Sequence, residues 1–183
     1  MLLLLLAACS PVRHVPDNKY LLDKIAVTLP DSVKQTQDLN TEELQTYVRQ
    51  LLWKVKMQLG IYNMSGRDST KWYNRLLRNL GEAPVIFDTT LTHQSQIQIQ
   101  RSLINRGYLH AEVFADTLLN KEKRKAKVIY RVVPGPQYRL SSVNYEFSDT
   151  VLRRVVMADS AQWPVQPGKP LDLNVLDAQR TMI

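Results

Sequence analysis

The chain holds one cysteine, three histidines and three phenylalanines in 183 residues. A lone Cys excludes an internal disulfide framework and any cysteine-rich zinc or iron–sulfur centre. His14, His93 and His110 lie too far apart for metal-ligand spacing. Six Gly and nine Pro are too few for a collagen-like or low-complexity chain. No apolar run approaches the about 20 residues that a helix needs to span a bilayer. Gly-x-Ser-x-Gly, His-Glu-x-x-His and a phosphate-cradling glycine loop are all missing, and the carboxylates are scattered without acid/base spacing. The sequence therefore predicts no catalytic residue, no metal and no cofactor.

What is present is an ordinary globular composition, with 44% hydrophobic and 22% charged residues. The net charge is +7. The densest basic run, Lys121 to Lys127, falls between two alternating segments and has no aromatic platform beside it. It reads as a solvated hairpin turn rather than a nucleic-acid surface, with attraction to anionic lipid headgroups as a weaker option. Trp72 lies on an apolar helical stripe and is expected in the core. The roles of Trp53 and Trp163 stay open.

The first residues are Met1, Leu2 to Leu6, then Ala7-Ala8-Cys9-Ser10. The run is too short to span a membrane and suits the apolar region of an export signal. The small residues ahead of the only Cys resemble the lipobox of bacterial lipoproteins, in which the chain is cut before the cysteine and the thiol is acylated. The reading departs from the pattern in one respect, since no Lys or Arg precedes the leucines. It makes residues 1–8 a signal peptide, Cys9 the lipid attachment site and residues 9–19 a tether carrying Pro11 and Pro16. Several acyl chains, at about 0.8 kcal/mol per buried methylene, would anchor the protein stably.

Alternation at Lys24–Leu29 predicts a half-buried strand with Ile25, Val27 and Leu29 on one face. Asn40 followed by Glu43 is a capping-box pattern. Leu44, Tyr47, Val48, Leu51 and Leu52 extend it as an amphipathic helix from Thr41 to about Trp53. Asp68 begins a second helix, with Trp72, Leu76 and Leu80 at fourfold spacing and Gly81 at its end. Thr92 begins a third, with Ile97, Ile99, Leu103 and Ile104 on one side and Gly107 as a left-handed cap. Tyr108–Leu118 and Lys125–Val133 alternate and make a hairpin. The pattern then restarts: a strand over Tyr138–Phe147, a short helix capped by Asp149, a Pro-rich loop, and a helix capped by Asp172.

The order strand, helix, inserted helix, helix, strand, strand resembles the POTRA domain, the periplasmic module of BamA/TamA-like outer-membrane assembly factors. Three stretches carry the resemblance: Asn105-Arg106-Gly107-Tyr108 with Ala111-Glu112-Val113, Val132 to Leu140 around Pro134-Gly135-Pro136, and Gly168-Lys169-Pro170-Leu171-Asp172. The chain also resembles the lipoprotein form of TamA in Bacteroidota. Lys19 to Leu22, the stretch from Gly60 to Gly66, the Trp-bearing segment Lys71 to Leu80 and Gly81 to Val85 fit that pattern. The expected fold is α+β: a POTRA-like β-α-α-β-β domain with a helical insertion over 20–134, then a partial second POTRA-like unit over 138–183. That last stretch is too short for even an eight-stranded barrel, so the chain is expected to be a fragment without the family's β-barrel.

The resemblance implies a periplasm-facing polypeptide-binding module, held to the outer membrane through Cys9. Its partners would be unfolded outer-membrane protein strands or assembly-machinery proteins, and not nucleic acid. An unpaired strand edge offers a row of N–H and C=O groups to which an extended client can add itself. The resemblance puts the strand after Gly107 outermost, so the candidate strand-addition residues are Tyr108, Leu109, His110, Ala111, Glu112, Val113, Phe114 and Ala115. The pattern alone leaves this strand two readings, a pairing edge and a blunted surface. The competing functional class is a small envelope lipoprotein that scaffolds a complex or binds a ligand without handling client strands.

Overall fold

The computed structural model describes residues 12, 14–31, 33, 39–50, 62, 64–65, 70–80, 83–158, 160 and 163–182. The lipobox with Cys9, the predicted caps at Asp68 and Gly81, Trp53 and most of the Gly60–Gly66 stretch lie outside them. The described elements run β1 (Leu21–Thr28), α1 (Thr41–Gln45), α2 (Trp72–Leu80), α3 (Thr89–Asn105), β2 (Glu112–Asn120), β3 (Lys125–Val133), α4 (Thr150–Met157) and α5 (Leu173–Met182). This is the expected α+β order, with one three-stranded sheet arranged β1-β3-β2.

β3 is the central strand, and its alternation is complete. Ala126, Val128, Tyr130 and Val132 are buried on one face, while the residues between them are half-buried or exposed. β1 pairs with it in parallel, which requires a long crossover, and the intervening helices supply it. β2 returns to β3 through the turn at 121–124, in which Arg124 adopts a left-handed φ of 49°.

β1 begins three residues earlier than its alternation predicted, and the reason is a bulge. Leu22 lies opposite Ala126 and Lys24 opposite Lys127, so Asp23 is an extra residue. The insertion shifts the period by one. Leu22, Ile25 and Val27 all come to lie beside core-facing residues of β3, namely Ala126, Val128 and Tyr130. Leu21 then faces the other way and is buried beneath Val15, with Val12 and Val85 packed around that pair.

The chain forms two compact units. The first comprises 1–96 with 114–131 and the second 97–113 with 132–183. In the first, α1 packs on β1, and Leu22, Val27, Leu29, Leu39, Leu44, Val48, Ala126, Val128 and Tyr130 are buried, in addition to Val15 and Leu21. α1 is shorter than predicted. Asn40 caps it by accepting from the Glu42 N–H at 2.8 Å. The Thr46, Tyr47 and Val48 amides then bond three residues back, and Arg49 N–H turns away to Ser95 Oγ at 2.9 Å. The helix therefore ends at Gln45.

α3 starts at Thr89, because Asp88 rather than Thr92 is its cap. Asp88 Oδ1 accepts from Thr90 N–H at 2.7 Å and Leu91 N–H at 3.2 Å. Thr92 is instead buried inside the helix, as is Ser95. These small residues let the helix approach β3, where the Tyr130 hydroxyl donates to the Thr92 carbonyl at 3.4 Å. Burial raises the Tyr130 phenol above its ordinary pKa, with hydrogen bonds to Ser95 and Thr92 opposing the rise.

In the second unit α3 ends as predicted at Gly107, whose φ is +87°. Tyr108 N–H reaches Leu103 O and Gly107 N–H reaches Ile104 O, both at 3.0 Å, and the side chains of Tyr108 and Leu103 are buried. That is a Schellman cap with its apolar contact positions filled. Gly107 has a second reason to lack a side chain: a Cβ there would lie 2.5 Å from Leu171 O and 3.1 Å from Tyr138 O.

The strand predicted over Tyr138–Phe147 does not form. Residues 138–140 make backbone bonds with 168–171, giving the single bridge Arg139↔Pro170, and no strand is described over 141–147. A strand needs a ladder partner along its length, and none of the described residues supplies one there. The helices capped by Asp149 and Asp172 do form. Buried Gln179 ties α5 to the preceding loop and to Tyr145, accepting from Val165 N–H at 2.9 Å and donating to Tyr145 Oη. Tyr145 in turn meets Trp163 edge-on at 4.9 Å.

Candidate functional site

The hairpin predicted from alternation is present, and β2 is a terminal strand of the sheet. Its bounds differ from the candidate list. Tyr108, Leu109, His110 and Ala111 precede the strand: the cap uses Tyr108, and Ala111 N–H closes a turn onto Tyr108 O at 3.0 Å. Tyr108 and Ala111 are buried, and Gln100 Nε2 donates to the Ala111 carbonyl at 2.9 Å. His110 is exposed and shares a 3.0 Å hydrogen bond with Tyr138 Oη. Of the eight candidates only Glu112, Val113, Phe114 and Ala115 lie on β2, which continues to Asn120. The cap turn consumes residues that alternation alone assigns to the strand.

Along β2, Val113 is buried and Ala115 half-buried, but every residue from Asp116 to Asn120 is exposed. Phe114, Leu118 (56% exposed) and Leu119 are apolar side chains on this strand with little cover. Across the hairpin, Arg131 donates to both oxygens of Asp116, with its shortest bond at 3.1 Å from Nη2 to Oδ2. Its guanidinium carbon lies 5.3 Å from the centre of the Phe114 ring. Both partners of this ion pair are about half exposed, so it orders the strand face more than it stabilises the fold.

The other rim of the sheet is different. Where β1 begins, Leu22 N–H donates to Val85 O at 2.8 Å and Phe87 N–H to Tyr20 O at 2.9 Å, with Leu21 bridged to Ile86. Gln50 Nε2 adds a bond to the Ile86 carbonyl at 3.0 Å. That end of β1 is closed by the chain itself.

The basic run divides into two roles. Lys121 and Lys123 are exposed on the turn. Arg124 points back and donates to the carbonyls of Val15 and Pro16 at 2.8 and 2.6 Å, with Asp17 at 3.7 Å. Lys125 pairs with Asp23 at 2.8 Å. The stretch predicted as a tether through residue 19 is therefore docked from Val15 onward. No local signal in the sequence marked Arg124 as the residue that holds it.

The helix expected to bury Trp72 does the opposite. Trp72 is 76% exposed, Leu76 50% and Leu80 60%, and the buried residue of α2 is Asn74. Among the described residues, no group of three His, Cys, Asp or Glu is placed to hold a metal, and no helix is long and apolar enough to cross a membrane.

No family model matches the chain, and no curated protein matches it. Among solved structures it is similar to a crystal structure of BamA POTRA3-5 from Haemophilus influenzae, with 16% sequence identity and a TM-score of 0.43. The similarity covers 92% of this chain and 55% of that one, so the chain spans just over half the length of the structure it matches.

Proposed function

We propose that the chain is a periplasm-facing polypeptide-binding module of outer-membrane protein assembly and that it takes extended client or partner strands on the outer edge of β2. The observation that carries the reading is the asymmetry of the sheet: the start of β1 is closed by residues 85–87, whereas β2 is terminal and bears exposed Phe114, Leu118 and Leu119. Backbone pairing at an edge gives affinity with little sequence demand, and apolar side chains on the edge strand add contact area. The reading moves the candidate edge from Tyr108–Ala115 to Phe114–Asn120. It keeps residues 20–134 as a POTRA-like domain, 138–183 as the beginning of another, and Cys9 as the lipid anchor of a TamA-like lipoprotein.

The test is hydrogen exchange on the full chain with and without an unfolded outer-membrane strand peptide. Amides within Phe114–Asn120 should gain protection, and Leu118→Lys, which puts a charge on the edge, should abolish the gain. Protection that appears elsewhere, or not at all, favours the scaffold or ligand-binding lipoprotein. Incorporation of labelled palmitate that is lost in Cys9→Ala tests the anchor separately.

A further inference from the structure

α2 is amphipathic in the usual sense but turned inside out. On a helical projection Trp72, Leu76, Leu80, Tyr73 and Leu77 occupy one continuous arc, and Lys71, Asn74, Arg75, Arg78 and Asn79 the other. A helix on a globular domain buries the first arc. Here Asn74 is buried, and Arg78 Nε donates to the oxygen of buried Ser65 at 3.3 Å with its guanidinium 5.9 Å from the Tyr62 ring centre. These polar contacts fix the helix with most of its apolar arc outward, leaving Trp72, Tyr73, Leu76 and Leu80 exposed and Leu77 half-buried.

We propose that this face of α2 seats on the surface of an anionic phospholipid bilayer. Three features favour lipid over a protein groove. The helix is nine residues long, about 13 Å at 1.5 Å per residue. Its four exposed side chains cannot by themselves form the roughly 800 Å² face of a stable protein interface, whereas a bilayer accepts an apolar stripe without a shaped counterpart. The stripe starts with adjacent Trp and Tyr, the residues that prefer the headgroup level. Exposed Arg75 lies towards the Trp72 side of the stripe with exposed Lys71 on the polar face behind it, and the helix contains no Asp or Glu, so the charge accompanying the apolar arc is of one sign. This surface involves neither β2 nor acylation of Cys9, so its failure would leave the strand-addition reading standing.

The experiment uses the full chain carrying Cys9→Ser, so that no acyl chain contributes, with vesicles of zwitterionic and anionic phospholipid in a ratio of about 7:3. Brominated acyl chains should quench a component of tryptophan emission that is missing from Trp72→Phe. Leu76→Asn with Leu80→Asn should weaken vesicle binding about tenfold, equivalent to about 1.4 kcal/mol. Lys71→Glu with Arg75→Glu should weaken it comparably and reduce its salt dependence. Residues Leu2–Leu6 are the same in every variant and cancel. An unquenched Trp72 overturns the proposal, as does vesicle binding unchanged in the leucine pair. Concentration-dependent self-association that those leucine changes abolish, with no effect of lipid, would assign the face to a second copy and also overturn it.

Discussion

α2 and α3 obey the same periodicity and meet opposite fates. Both carry apolar residues at helical spacing and small or polar residues between them. α3 turns Thr92, Ser95, Ile99, Ser102 and Leu103 inward, a mixed stripe whose hydroxyls find backbone partners. α2 turns Asn74 inward and leaves Leu76 and Leu80 exposed, with Leu77 half-buried. The difference teaches that period identifies which side chains share a face but not which face is covered. Coverage depends on what the neighbouring segments offer, and a buried hydroxyl or amide is tolerated where it is satisfied.

The comparison makes quantitative predictions. Leu103→Ala removes a fully buried side chain from α3 and should cost about 2–5 kcal/mol in a denaturant melt. Should it cost less than 1 kcal/mol, the inward face of α3 has been misassigned. Gly107→Ala, at the end of the same helix, should cost at least about 2 kcal/mol, because a left-handed penalty of about 1–2 kcal/mol adds to the approach of Leu171 O. Gly168→Ala has a similar φ of +82° but open space around it, so it should show the conformational penalty alone. Equal effects at the two glycines would show that the close approach is not felt.

Asp88→Ala should cost about 1 kcal/mol as a lost cap, and Thr92→Ser, which keeps a hydroxyl inside the helix, should cost less. Leu76→Ala on α2 should fall within about 0.5 kcal/mol of wild type, and a core-sized loss there would mean that the helix buries its apolar arc after all. Tyr130 gives a pH-dependent counterpart. Its folded-state pKa is raised by burial, so its contribution to stability is fully present below the unfolded value of 10.0 and is lost as pH rises through the folded value. Stability at alkaline pH should fall less steeply in Tyr130→Phe, as read from urea midpoints on either side of pH 10.0.

Much of the fold was legible. The alternation of β3, the hairpin, the glycine cap at Gly107 and the Asp149 and Asp172 caps are local signals, each resting on residues within a few positions of one another. The candidate site was legible in part. Alternation located an edge strand, but it ran the strand back through Tyr108–Ala111, which the helix cap uses. Arg124 could not be read as a clamp, because its partners Val15 and Pro16 are more than a hundred residues earlier and are backbone carbonyls, which carry no sequence signature.

By itself the sequence determined most of the element order, the turn at 121–124, the Gly107, Asp149 and Asp172 caps, and which side chains travel together on a face, since these follow from backbone sterics and from hydrogen bonds between near neighbours. Tertiary structure alone decided the rest. The Asp23 bulge rephased β1 to bring Leu22 and Ile25 into register with Ala126 and Val128. Residues 85–87 closed the start of β1, α2 faced Leu76 and Leu80 outward, and the stretch after Leu140 found no ladder among the described residues. Each of these depends on whether a partner from distant sequence arrives to satisfy a backbone group or cover an apolar face, and local pattern carries no record of that.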